Sequence, residues 1–361
     1  MIRDLQKNMI YTLVSWCVMT ALLMGVMLFT ASHKTIVIAQ TAQERGENVS
    51  DGAYAFGEKR EQGPLEAIRL TTVQQKDGEG ILRIPLEDSI KAEGVQVENR
   101  YIDRQLWIYI QGADIDFYRT NAVVGDVDFL TEAICEIRKD GVILKLETDQ
   151  VWEYKSTLTN GEMSVERFAP SELYDCVIVV DPVGGGSDTG LVWYELSEKD
   201  ITLQICNQLQ KKLSSEDGIR VYFTRLEDVA LSEQERISFA YEVGADAFLR
   251  LRVSCDADHP ELYGIESYYN DQFYQVGFDS AMLADIVTKS VARSSVNRAI
   301  GILPAADESI LYELDMAGAE ICVGYLSNEQ ECELLSRESY TDTIAAGLAE
   351  AMSGIGSAVR E

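Results

Sequence analysis

CVIVVDPVGGGSDTGLVWYELSEKDITLQICNQLQKKL, residues 176–213, is the stretch whose reading decides the fold. It opens on an uninterrupted apolar run, Cys176–Val180, as a strand buried on both faces requires. The run ends at Asp181 and passes into a glycine-rich loop. Beyond Ser197, which can cap a helix, Ile201, Ile205, Leu209 and Leu213 recur at i+4 spacing and form one apolar stripe. Strand, loop and helix make the repeating unit of an α/β sheet.

The chain downstream repeats that unit. IRVYFTR (219–225) reads as a strand, and Ser232 with Glu235 stands at capping-box spacing ahead of a helix running to Gly244. ADAFLRLRVS (245–254) and GIESYY (264–269) read as strands, with a long helix predicted over 278–293. AEICVGYLS (319–327) is the last predicted strand. Residues 328–353 close the domain as a helix that packs Leu334, Leu335, Ile344, Leu348 and Met352. Residues 173–355 are therefore expected to form an α/β domain around a central, mostly parallel or mixed sheet flanked by helices. The glycines of VGGGSDTG follow a strand, but no Lys-Ser/Thr follows them, so a phosphate loop is set aside.

Upstream the pattern differs. Residues 65–172 carry short runs rich in Ile, Leu, Val, Tyr and Trp, such as LEAIRLTTV, GILRIPL, RQLWIYI and GVILKLET, and predict a small all-β domain. FLTEAICEIRKDG (129–141) fits either a short helix or a further strand. Residues 32–64, with Gly46, Gly52, Gly57 and Gly63 and little periodicity, read as a flexible tether. Residues 9–31 are one uncharged apolar run, long enough to span a bilayer as a helix. Arg3 and Lys7 precede it, so residues 1–8 are expected in the cytoplasm and the domains after a single-pass signal anchor outside the cell.

The net charge is −29, which excludes nucleic acid, anionic lipid and anionic wall polymers as electrostatic partners. Cys135, Cys176, Cys206, Cys255, Cys322 and Cys332 are scattered without metal or framework spacing and read as small buried residues, although the compartment would permit a disulfide.

Several of these segments together resemble the zinc-dependent N-acetylmuramoyl-L-alanine amidase family. VVDPVGGGSDTG is similar to its D-P-G-H-G-G opening, and ELSEKDITLQI to its G-x-x-E-K-D helix start. FTRLEDVALSEQERISFAYEVGADAFL follows its T-R-x-x-D, L-x-x-R and A-D-x-F spacing. GIESYY, Asn297-Arg298 and GYLSNEQE complete the series, which covers about half of the chain. The resemblance implies an amidase fold acting on peptidoglycan, with zinc as its cofactor.

Carried over residue by residue, the resemblance also implies a degenerate site. The first zinc histidine falls on Gly184, and the second on Arg252, with Arg250 and Ser254 on the same strand face. The zinc glutamate is kept as Glu198, while the general-base glutamate falls on Cys322. Neither His33 nor His259 lies at a ligand position. Zinc hydrolases hold the metal with three side-chain ligands around an open position, and one carboxylate does not suffice. An Arg252–Glu198 ion pair is expected in the metal's stead, because guanidinium geometry suits a carboxylate. Asp181, Arg250, Ser254 and Asn328 are candidate cleft contacts. Asp256, Asp258, His259 and Glu261, joined by Glu198, make a second grouping to weigh as a hard-cation site. Cys322 lacks a histidine base and is not expected to act as a nucleophile. Glu320 shares its strand parity.

The expectation is a membrane-anchored envelope protein whose amidase-like domain binds peptidoglycan, or a cell-wall enzyme or assembly partner, with no cofactor. Two alternatives stay open: an active zinc amidase cutting the bond between N-acetylmuramic acid and L-alanine, and a scaffold with no glycan affinity.

Overall fold

The computed structural model describes residues 34–37, 66–75, 80–159, 161–213 and 218–360. The expected anchor at 9–31 and most of the tether lie outside the described residues. Among the described residues no helix is long and apolar enough to cross a membrane. The chain divides into two compact units, Met1–Phe168 and Ala169–Glu361.

The first unit holds two β-sheets. A six-stranded sheet runs in the order Lys34–Val37, Glu153–Thr159, Glu162–Phe168, Ile81–Pro85, Val123–Gly125 and Thr72–Gln74. A five-stranded sheet orders Ala67–Arg69, Leu130–Arg138, Gly141–Thr148, Gln105–Gln111 and Val95–Arg100. Alternate residues of the two sheets, Leu82, Ile84, Met163 and Val165 with Leu106, Ile108, Leu144 and Leu146, bury one common core. The segment that fitted helix or strand is a strand, Leu130–Arg138, paired antiparallel with Gly141–Thr148. One short helix, Ile115–Thr120, interrupts the β pattern; Asp114 caps it by accepting from Asp116 N–H at 3.0 Å.

The second unit is α/β. Its sheet comprises β1 (Cys176–Pro182), β2 (Ile219–Phe223), β3 (Ala247–Ser254), β4 (Ile265–Tyr269), β5 (Ala299–Pro304) and β6 (Ala317–Tyr325). The spatial order is β2-β1-β3-β6-β4-β5. Every pairing is parallel except β4 with β6. Beyond the one-turn helix Pro170–Leu173, its described α-helices are α1 (Glu198–Lys212), α2 (Glu233–Glu242), α3 (Ser280–Ser294), α4 (Glu329–Leu335) and α5 (Glu338–Val359). The stripe Ile201, Ile205 and Leu209 of α1 joins Leu283 and Val287 of α3 and Ile344 and Leu348 of α5 against Ile178, Val180, Leu249, Leu251 and Ile321 of the sheet.

Both predicted caps form. Ser197 accepts from Asp200 N–H, and Ser232 and Glu235 exchange the reciprocal capping-box bonds. Two details differ from the sequence reading. The C-terminal helix is two helices, α4 and α5, parted at Ser336–Arg337. The strand β5 is additional; it lies at the sheet edge with most of its residues exposed, so it lacks the apolar signature of a buried strand.

Candidate functional site

Register across the sheet assembles the site. Asp181 of β1 lies opposite Arg250 of β3, Arg250 opposite Glu320 of β6, and Glu320 opposite Tyr268 of β4. Two residues further along, Arg252 lies opposite Cys322, and Cys322 opposite Glu266. Side chains alternate along a strand, so these two rows share the face turned away from the apolar cluster.

Glu198, the first residue of α1, is 1 % exposed, and both its oxygens are occupied. Its Oε2 accepts from Leu191 N–H at 2.9 Å. Its Oε1 accepts from Val253 N–H at 3.1 Å and from Arg252 Nε at 3.2 Å. Arg252 also donates from Nη1 to Glu320 Oε1 at 3.1 Å. The structure thus brings Glu198, Arg252 and Glu320 together as one guanidinium held between two carboxylates. Burial acts against the Arg252 charge, but Glu320 and Glu198 outweigh it and hold the guanidinium more firmly protonated than usual.

Cys322 is buried beside this group. Burial, reinforced by Glu320 and against the pull of Arg252, pushes its thiol well above the ordinary range, so the thiolate nucleophile is suppressed. Behind it, Glu266 Oε1 accepts from Tyr325 Oη at 2.7 Å. Burial and contact with Glu266 push the phenols of Tyr268 and Tyr325 up. Two carboxylates, Glu198 and Glu320, therefore flank one arginine, with Glu266 on the far side of Cys322. The arrangement offers N–H donors and carboxylate acceptors to a neutral polar group and opposes an anion.

Gly184 sits at the start of the loop after β1 with φ +74°, in the left-handed region. A Cβ there would meet the Asp188 carbonyl oxygen and Lys199 Cβ, each at 2.9 Å. Arg236 of α2 donates to the Gly184 carbonyl at 2.7 Å and to Asp181 Oδ1. Arg225 donates to the carbonyls of Pro182 at 3.0 Å and Val183 at 2.8 Å. Two buried guanidiniums fix the loop. Asp181 was expected in the cleft but is instead fully buried, bonded to Thr224 Oγ1 at 2.6 Å and to Arg236, because a buried carboxylate needs internal partners.

Of the remaining expected contacts, Arg250 stays with Asp181, its Nε 3.6 Å from Oδ2, while Ser254 and Asn328 separate from it. Arg250 extends to Glu233 at 3.3 Å. Ser254 gives its carbonyl to Leu326 N–H at 2.8 Å. Asn328 is the N-cap of α4 and donates from Nδ2 to the Pro260 carbonyl at 3.0 Å, a helix-end role rather than a cleft contact. Asp256, Asp258 and His259 form an exposed turn in which Asp256 Oδ1 accepts the next backbone N–H groups, and the imidazole faces Glu261 at 3.4 Å. Among the described residues no group of three His, Cys, Asp or Glu side chains gathers to hold a metal. Glu320 as a partner of Arg252, and the Glu266–Tyr325 bond, required the strand order, which residue spacing does not carry.

Residues 178–354 match the N-acetylmuramoyl-L-alanine amidase family. They are a domain of that family. The first curated relative is N-acetylmuramoyl-L-alanine amidase LytC of Bacillus subtilis, 29% identical over 172 residues, or 47% of this chain and 34% of that protein. A germination-specific N-acetylmuramoyl-L-alanine amidase of the same species is 27% identical over 48% of this chain and 76% of its own length. The chain thus spans about a third of the first relative and about three quarters of the second. Among solved structures, an N-acetylmuramoyl-L-alanine amidase of Clostridium difficile is 28% identical, with TM-score 0.46, and covers 50% of this chain and 95% of that one.

Proposed function

We propose that this protein is a membrane-anchored envelope protein whose amidase domain binds peptidoglycan without cleaving it. Residues 9–31 are the anchor, and both folded units lie outside the cell. The observation that carries the reading is the state of Glu198. Each oxygen of this carboxylate is already engaged by a backbone N–H, and Arg252 adds a fixed cation beside it. The donor set does not fit the zinc that the family resemblance implies. Gly184 offers no side chain and no room for one, Arg252 is a cation, and one internally bonded carboxylate does not hold a divalent metal. The guanidinium neutralises the acid that a metal would otherwise neutralise. Peptidoglycan enters as the ligand from the family to which residues 178–354 belong.

The test is elemental analysis of the natively purified full chain, followed by co-sedimentation with purified cell-wall sacculi. Zinc far below one per chain, an unchanged melting temperature on adding zinc, no amide cleavage and retention on sacculi are the expected results. About one zinc per chain, lost with Glu198→Ala and accompanied by cleavage, would establish a working amidase instead.

A further inference from the structure

The chain leading into Glu198 forms a minimal hairpin. Val192 pairs with Ser197 and Trp193 with Leu196, leaving Tyr194 and Glu195 as the turn. Such turns call for left-handed backbone and take Gly or Asn there. This chain places Tyr194 at φ +53°, a conformation that costs an aromatic residue free energy and that glycine adopts freely. The strained residue also leaves its ring 86% exposed, standing edge to face against Trp193 with centroids 5.8 Å apart. Folding gains nothing evident from a solvated ring on a strained turn, so another selection explains it.

Its place in the fold narrows what that is. Trp193 and Leu196 pack on the core cluster, and Glu198 N–H donates to the Leu191 carbonyl at 2.8 Å, so the hairpin rides rigidly on the start of α1. Leu191 and Arg252 hold opposite oxygens of the Glu198 carboxylate, so the base of the hairpin and Arg252 meet at one side chain, with the tip three residues beyond. Arg252 is 35% exposed, and its Nη2 has no partner among the described residues. Two rings present far less surface than a protein interface requires. The carboxylate excess around Arg252 turns away anions. A ligand with one apolar face and neutral hydroxyl and amide groups meets both halves of the site.

We propose that the Trp193–Tyr194 tip stacks on a pyranose ring of a glycan strand whose polar groups reach Arg252 and Glu320. The inference rests on the peptidoglycan-binding reading above and adds to it the sugar contact. The test compares wild type, Tyr194→Gly and Tyr194→Phe as full chains, by sacculus co-sedimentation with a soluble β-1,4-linked N-acetylglucosamine tetramer as competitor. Tyr194→Gly is expected to melt at or above the wild-type temperature, because the turn is relieved, yet to bind about tenfold more weakly. Tyr194→Phe retains binding, and the tetramer displaces the wild type. If Tyr194→Gly binds like wild type, or the tetramer displaces nothing, the sugar contact falls while sacculus binding stands. If wild type does not sediment with sacculi, both readings fall together.

Discussion

At the end of β1, Arg236 and Asp181 are 2% and 0% exposed, whereas two residues along β3 from Arg250 the Arg252 side chain is 35% exposed above Glu198. Both sites pair a guanidinium with a carboxylate on one face of one sheet. In the first, the arginines also bind the carbonyls of Pro182, Val183 and Gly184, so charge is spent on holding a loop. In the second, the arginine meets two carboxylates and keeps donors facing the cleft. A sealed ion pair with every partner inside is scaffolding. A half-open pair with surplus acid is equipped to meet a ligand.

The comparison is broken most severely at its sealed member. Arg236→Met leaves Asp181 as a buried charge short of its main partner and should cost about 3–5 kcal/mol in urea unfolding. A loss below about 1 kcal/mol would mean that the loop does not depend on it. The loop itself is the next target. Gly184→Ala forces a Cβ against Asp188 and Lys199 at positive φ, and a loss of about 2 kcal/mol is expected. Installing the side chains that the family resemblance implies, with Gly184→His, Arg252→His and Cys322→Glu, should therefore fail to recruit zinc by elemental analysis; about one zinc per chain would show that the loop can yield.

At the open site, Arg252→Ala should cost only about 1 kcal/mol, because Arg252 is part-exposed and two backbone N–H groups still serve Glu198. Its binding to sacculi should fall more than its stability. Equal loss in both would make Arg252 scaffolding as well and erase the distinction.

A pH effect sharpens the picture from two buried thiols of the sheet. Burial pushes the Cys176 thiol up to about 12 and Cys322 well above its ordinary range. Thiols of an unfolded chain ionise near ~8.5, so as pH rises the unfolded state sheds its protons first. Stability is whole below that pH and declines above it, by about 1.4 kcal/mol per thiol at pH ~9.5. Urea midpoints at pH 7.5 and 9.5 measure the slope, and Cys322→Ala should reduce it by one thiol's share.

Residues 176–213 made the α/β unit legible because a buried strand and an amphipathic helix write different periods into the chain. Ser197, Ser232 and Glu235 announced two helix starts for the same local reason: a cap and its helix are near neighbours in sequence. The edge strand Ala299–Pro304 carried no such mark, since an exposed strand has no apolar run to show. Asp181 read as a cleft residue because its position at the end of β1 is local, whereas the guanidinium that seals it arrives from α2.

The sequence by itself determined which groups these positions offer: no side chain at Gly184, a cation at Arg252, a thiol at Cys322 and a carboxylate at Glu198. Composition forbids a bond wherever its donor is missing, whatever the fold. Only the tertiary structure decided what the surviving groups do. The order β1-β3-β6-β4 places Arg252 between Glu198 and Glu320 and sets Glu266 behind Cys322. Those contacts join residues up to 68 positions apart. They depend on strand order and register, which arise from the packing of the whole domain rather than from any local run of residues.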